Sequence, residues 1–151
     1  FKAQLLAAAG DRVASLALMD QAVAIDPAQL NPILERANML MNMGQDAKAR
    51  ADIDAVLAKE PRSIVGIYLN AVLLVRAGKF AEADMELTKL GGAAAAFPRA
   101  QYFQAVTRAN LGQTEQAIED ATRYSQRNPQ DMEGMRLLAR IQIGAKRRSR
   151  C

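Results

Sequence analysis

The amino-acid sequence predicts an all-α protein built as a stack of antiparallel helix pairs, and three observations carry that prediction. Gly10, Gly44, Gly78 and Gly112 follow one another at intervals of 34 residues. Ala3, Ala37, Ala71, Ala105 and Ala139 keep the same interval, as do Ser15, Ala49, Ala83 and Ala117. The composition agrees: half of the 151 residues are apolar, only 5% are aromatic and none is Trp. Ala, Leu, Met, Gln, Glu, Lys and Arg dominate, which favours helix over strand.

A fixed period of this length marks a repeat architecture. Glycine enters the left-handed backbone that ends a helix, and small side chains let two helices approach closely. Each repeat therefore reads as a hairpin: a first helix carrying the Ala, a turn at the Gly, and a returning helix presenting the second small residue. Pro27, Pro61 and Pro129 separate the hairpins, because a helix cannot continue through them. In order, residues 1–9 pair with 12–25, 29–43 with 46–59, 63–77 with 80–90, and 97–111 with 114–127, and a last helix covers about 131–144. The repeats so drawn span about 1–27, 28–61, 62–97 and 98–129. Met19, Val23, Ile53, Val56, Leu57, Leu87 and Leu90 recur at three- and four-residue spacing on the returning helices, which makes them core. The third repeat departs from the pattern, since Pro98 follows Pro61 by 37 residues. The segment Leu90 to Pro98 absorbs the difference through an early helix stop at Gly91-Gly92 and a lengthened connection, either a bend or a contact loop.

Gly-Gln-x-x-x-Ala with a closing Pro, in Gly44–Pro61 and again in Gly112–Pro129, resembles the tetratricopeptide repeat (TPR) family, and the likeness runs over nearly the whole chain. It departs where the family carries a bulky aromatic in the first helix; Ile33, Ile67, Gln101 and Met135 stand there. The resemblance implies a right-handed superhelical α-solenoid of about four hairpins plus a terminal helix, one array over residues 1–151. Both ends cut through a repeat, so the chain reads as a piece of a longer array.

The family's groove, lined by the first helices, maps onto three rows. Leu34, Tyr68, Tyr102 and Arg136 form the first; Gln4, Asn38, Val72, Val106 and Arg140 the second; Ala7, Met41, Val75, Ala109 and Ile143 the third. The peptide-binding residues so implied are Leu34, Asn38, Met41, Tyr68, Val72, Val75, Tyr102, Val106, Arg136 and Arg140. Tyrosine and arginine dominate binding energy at interfaces, so the fitting ligand has apolar anchors and an acidic or carboxylate end near the two arginines. The rival reading has Tyr68 and Tyr102 packing between neighbouring hairpins. Of the clamp by which some TPR domains hold a chaperone tail, only Asn38 is matched, which argues against such a receptor. The expected function is a protein-interaction scaffold for a peptide or partner subunit; the alternative is a spacer or oligomerisation element without a groove ligand. The segment Phe97-Pro98-Arg99-Ala100-Gln101-Tyr102, with Leu111-Gly112-Gln113 and Asn128-Pro129, further resembles bacterial cell-envelope TPR proteins of exopolysaccharide and exosortase systems. That likeness favours the periplasm or envelope over the cytoplasm.

Other function classes find little support. The sequence has no His and one Cys, Cys151. Asp52, Asp54, Glu82, Asp84 and Glu86 fall at positions expected to face solvent, so no acid–base pair, nucleophile or metal site is assembled, and no enzyme, cofactor or small-molecule substrate is expected. Gly91-Gly92 lacks the strand and Lys of a phosphate loop. No apolar run reaches the roughly 18 residues of a membrane span. The net charge is +4, with Lys146, Arg147, Arg148 and Arg150 at the C-terminal edge. Without interleaved aromatics this tail reads as a helix end whose cations complement the dipole, and not as a nucleic-acid site.

Overall fold

Three glycines turn the chain in the same way. In the computed structural model, Gly44, Gly78 and Gly112 have φ of 74°, 73° and 80°. At each, the glycine N–H bonds the carbonyl three residues back (Met41, Val75, Ala109; 3.1, 3.1 and 3.3 Å), and the next residue's N–H reaches five back (Leu40, Leu74, Arg108; 2.8–2.9 Å). This bond pair satisfies two of the carbonyls a helix end leaves open, and the left-handed backbone it needs is favourable to glycine. The turns at Gly44, Gly78 and Gly112 divide helices α2 (Leu30–Asn42) from α3 (Asp46–Lys59), α4 (Ile64–Arg76) from α5 (Phe80–Leu90), and α6 (Ala100–Asn110) from α7 (Thr114–Arg127). Helix α1 (Lys2–Ile25) precedes them and α8 (Met132–Arg148) follows. The structure describes residues 2–148, with side chains from Gly10 to Arg148; Ala3, Gln4, Ala7, Arg150 and Cys151 of the sequence reading fall outside the described side chains.

Prolines begin each new hairpin by one device. In Asp26–Gln29, Glu60–Ser63, Phe97–Ala100 and Asn128–Asp131 the fourth residue's N–H bonds the first residue's carbonyl at 3.0–3.2 Å, with Pro second. Proline's fixed φ suits that place in a turn. Pro98 does the same despite its displaced phase. Ahead of it α5 stops at Leu90, Gly91 takes φ 50°, and a 3₁₀ turn covers Gly91–Ala96.

Gly10 is the exception. The sequence led us to expect a turn there between helices 1–9 and 12–25, but α1 continues through it without a break. A nine-residue helix would bury too little to offset its nucleation, and Ala7, Ala8 and Ala9 are the strongest of helix formers, so the chain propagates instead.

The fold divides into two units, residues 1–69 and 70–151, with the boundary inside α4. In the first, α2 packs on α1 and α3; in the second, α6 packs on α5 and α7, and α8 packs on α7. The alanine series explains how closely the helices lie. Ala37, Ala71, Ala105, Ala49, Ala83 and Ala117 all have 0% exposure. Ser15 is half-buried and Ala139 exposed. Ile53, Val56 and Leu87 complete the core beneath the returning helices.

One arginine in each unit ties helices together. From α2, Arg36 donates through Nε and Nη2 to both carboxylate oxygens of Asp52 on α3 (2.8 and 2.6 Å) and through Nη1 to Asp20 on α1 (3.0 Å). From α6, Arg108 donates to Asp120 on α7 (2.6 Å) and stands 3.8 Å from Asp84 on α5. Asp52 is thus not the solvent-facing residue expected from sequence: it is 7% exposed, and Asp84 is half-buried. Burial is tolerated because a guanidinium supplies the hydrogen bonds that water would have made. Burial still raises the Asp120 carboxyl, outweighing the pull of Arg108 in the other direction.

Candidate protein-interaction surface

A connected polar and aromatic arrangement of the second unit begins at the start of α8. Asp131 caps this helix by accepting the Glu133 N–H at 2.9 Å, and it also accepts the hydroxyl hydrogen of Tyr124 from the end of α7. Gly134 leaves space for the buried Tyr124 ring, since a Cβ there would lie 2.6 Å from it. Tyr102 of α6 meets Tyr124 at 5.6 Å between centroids and Phe103 edge-on at 5.4 Å. Arg99 lies 4.5 Å over the Tyr102 ring while pairing with Glu133 at 2.6 Å. The starts of α6 and α8 are therefore joined by the Arg99–Glu133 pair, and α6 meets the end of α7 through the two tyrosine rings.

Burial, reinforced by the bond to Asp131, pushes the Tyr124 phenol up to about 12, and the same bond lowers Asp131. A raised phenol stabilises the fold fully below the unfolded value of about 10, and that contribution is lost as pH climbs from there through the native value. Comparing wild type with Tyr124→Phe by denaturant melts should give a stability gap at pH 8 that shrinks by pH 11. A gap that stays constant would show that the hydroxyl does not ionise with unfolding. The lowered Asp131 acts in the opposite sense, stabilising at neutral pH and ceasing to do so as acid protonates it in the fold.

The residues expected to line a binding groove divide by exposure. In the first unit Leu34 and Met41 are core, at 6% and 4% exposure, whereas Asn38 is exposed and Tyr68 half-buried. In the second, Val72 is core, Val75, Tyr102 and Val106 are half-buried, and Arg136 and Arg140 are exposed. There α6 and α8 bound a cleft of about 260 Å³ whose walls include Val106, Ala109, Leu137, Ile141, Arg140 and Arg148. Burial raises the Tyr102 phenol, and the charge of Arg140 pulls weakly in the other direction. From Arg136 to Arg148, α8 carries five cations and no carboxylate. The Arg36 and Arg108 ties were not foreseen. Their only sequence signal is the carboxylate series Asp52, Glu86 and Asp120 at the 34-residue interval.

No family model matches the sequence, and a search of curated proteins returns no match. Solved structures do match. MamA from Desulfovibrio magneticus RS-1, from its residue 41 to the end, superposes with a TM-score of 0.76 at 20% identity, covering 95% of this chain and 81% of that one. A tetratricopeptide repeat protein from Parabacteroides merdae ATCC 43184 gives 0.72 at 16% identity, over 97% of this chain and 57% of that one. The fold is TPR-like. In a TPR-like fold α2, α4, α6 and α8 are the first helices and α3, α5 and α7 the returning ones. The TPR-like assignment agrees with the glycine turns and alanine seams described above. Among the described residues no helix is long and apolar enough to cross a membrane, and no three His, Cys, Asp or Glu side chains gather as metal ligands.

Proposed function

We propose that this chain is a protein-interaction scaffold that holds a peptide segment or partner subunit on the faces of its first helices. The observation that carries this reading is the cleft between α6 and α8, where an apolar wall of Val106, Leu137 and Ile141 adjoins Arg140 and Arg148. Apolar side chains of a ligand would be desolvated on that wall while an acidic end meets the guanidinium groups. Asn38 and Tyr68 in the first unit, and Val75, Tyr102, Val106, Arg136 and Arg140 in the second, are the contacts assigned; Leu34, Met41 and Val72 support them from the core. This reading assigns no catalysis, cofactor or nucleic-acid ligand, and it places the chain in a bacterial envelope system of exopolysaccharide or protein sorting, on the resemblance of Phe97–Tyr102.

A spacer without a ligand is the second reading, and Tyr102 favours it, because its ring is already engaged by Phe103, Tyr124 and Arg99. Binding of partner to the immobilised chain separates the two. Tyr68→Ala with Tyr102→Ala should cost on the order of 2 kcal/mol per hot spot. Arg136→Glu with Arg140→Glu, at exposed positions that leave the core intact, should likewise release the partner. Retention by both variants, with helicity unchanged, would leave the spacer reading standing.

A further inference from the structure

A second cleft, sharing no wall residue with the first, lies where the repeat is shortened. Helices α3 and α7 have 14 residues, but α5 has 11 and gives way to the 3₁₀ turn at Gly91. The returning helix is thus short by nearly one turn. A cleft of about 420 Å³ is found here, walled by the turn, by Phe97, Gln101 and Gln104, and by Arg127 at the end of α7.

Its polar side chains are placed against the grain of the repeat. Gln101 stands in phase with Ile33 and Ile67, which are 6% and 7% exposed core residues, yet Gln101 is half-buried and lines the cleft. Gln104 is half-buried three residues on, hence on the same helix face. Among the described residues neither amide has a protein hydrogen-bond partner, and Arg127 has no ion pair. No carboxylate lines the cleft, so its walls carry one unopposed positive charge.

From these groups we infer that the cleft is a second peptide site, which takes the carboxyl-terminal residues of an extended partner chain. A Gln side chain donates and accepts at once, as a peptide unit does. An extended peptide turns an N–H and C=O toward one side at every second residue, about 6.8 Å apart, within reach of two long side chains roughly 5–6 Å apart at their Cβ atoms. The single guanidinium matches the single charge of a terminal carboxylate in bidentate fashion. Gly91 and Gly92 present backbone without side-chain bulk, which lets a second main chain come close.

The test uses the isotopically labelled chain and the side-chain amide resonances of Gln101 and Gln104, titrated with N-acetyl-Gly-Ala-Ala bearing a free carboxylate. Saturable shifts of both amides are expected, about tenfold weaker affinity for the same peptide as its carboxamide, and a comparable loss in Arg127→Ala. Gln101→Ile installs the residue of the sister repeats, so it should keep the fold and abolish the shifts. Arg140→Ala, in the other cleft, should leave them unchanged, which separates this site from the first-helix surface. No saturable shift, equal affinity for acid and carboxamide, or full binding by Gln101→Ile would each overturn the proposal. So would amide shifts with glucose or inorganic phosphate in place of the peptide.

Discussion

Gly134→Ala is expected to destabilise the protein, although helix propensity alone predicts the reverse. Gly134 is the third residue of α8, and alanine there would gain up to about 1 kcal/mol of helix preference. Its new methyl, however, would stand 2.6 and 2.7 Å from two carbons of the Tyr124 ring. That ring cannot retreat, being 3% exposed and held at its hydroxyl by Asp131. Overfilling a packed site costs about 1–3 kcal/mol, so the clash exceeds the propensity gain and a net loss of about 1–2 kcal/mol is expected. Denaturant unfolding measures it, and the background supplies the control: in Tyr124→Ala the obstruction is gone, and Gly134→Ala should become neutral or stabilising. Destabilisation of equal size in both backgrounds would trace the effect to something other than the ring.

The larger loss is expected from Arg36→Ala, which leaves Asp52 nearly buried with its charge unpaired. Breaking a fully buried pair costs about 3–5 kcal/mol. The Arg36 side chain keeps 22% of its exposure, so water screens part of the effect and about 2–3 kcal/mol is the expected loss. Adding Asp52→Asn to Arg36→Ala should recover a good part of it, since the stranded carboxylate, more than the missing contact, is the source of the cost. Arg50→Ala offers the comparison: its 3.6 Å pairing with the exposed Asp54 should be worth less than about 0.5 kcal/mol. A loss from Arg36→Ala no greater than that from Arg50→Ala would show that the tie among the three helices contributes little.

What could be read from the sequence, and what could not, follows from the range of the forces involved. The turns at Gly44, Gly78 and Gly112 were legible because a left-handed residue is a local demand that only a few residue types meet. The alanine seams were legible because close approach of two helices repeats with the architecture. Gly10 misled because the same glycine can be carried inside a helix when nothing nearby rewards stopping, and the decisive quantity, the area a nine-residue helix could bury, is tertiary. The arginine ties were hidden for a different reason: Arg36 and Arg108 stand 72 residues apart, which is no multiple of the repeat, and each reaches across helices. For the candidate surface, phase put Tyr102 and Val106 on α6 and Arg140 on α8, where the first two are half-buried and the third exposed. It could not tell that Leu34, Met41 and Val72 sink into the core, because their exposure depends on the bulk of neighbours that differ between repeats. The cleft beneath the shortened α5 was foreshadowed by Gly91-Gly92 and by the amide at position 101, two signals that gain meaning only when seen to border one space.

Six side chains with no accessible surface hold the helices at their spacing, and each is a single methyl group. Drift elsewhere on the helices can therefore be tolerated so long as those methyls stay: outward-facing positions could be rewritten while the framework persists. A sequence can in this way diverge to a fifth identity from another and still superpose on it.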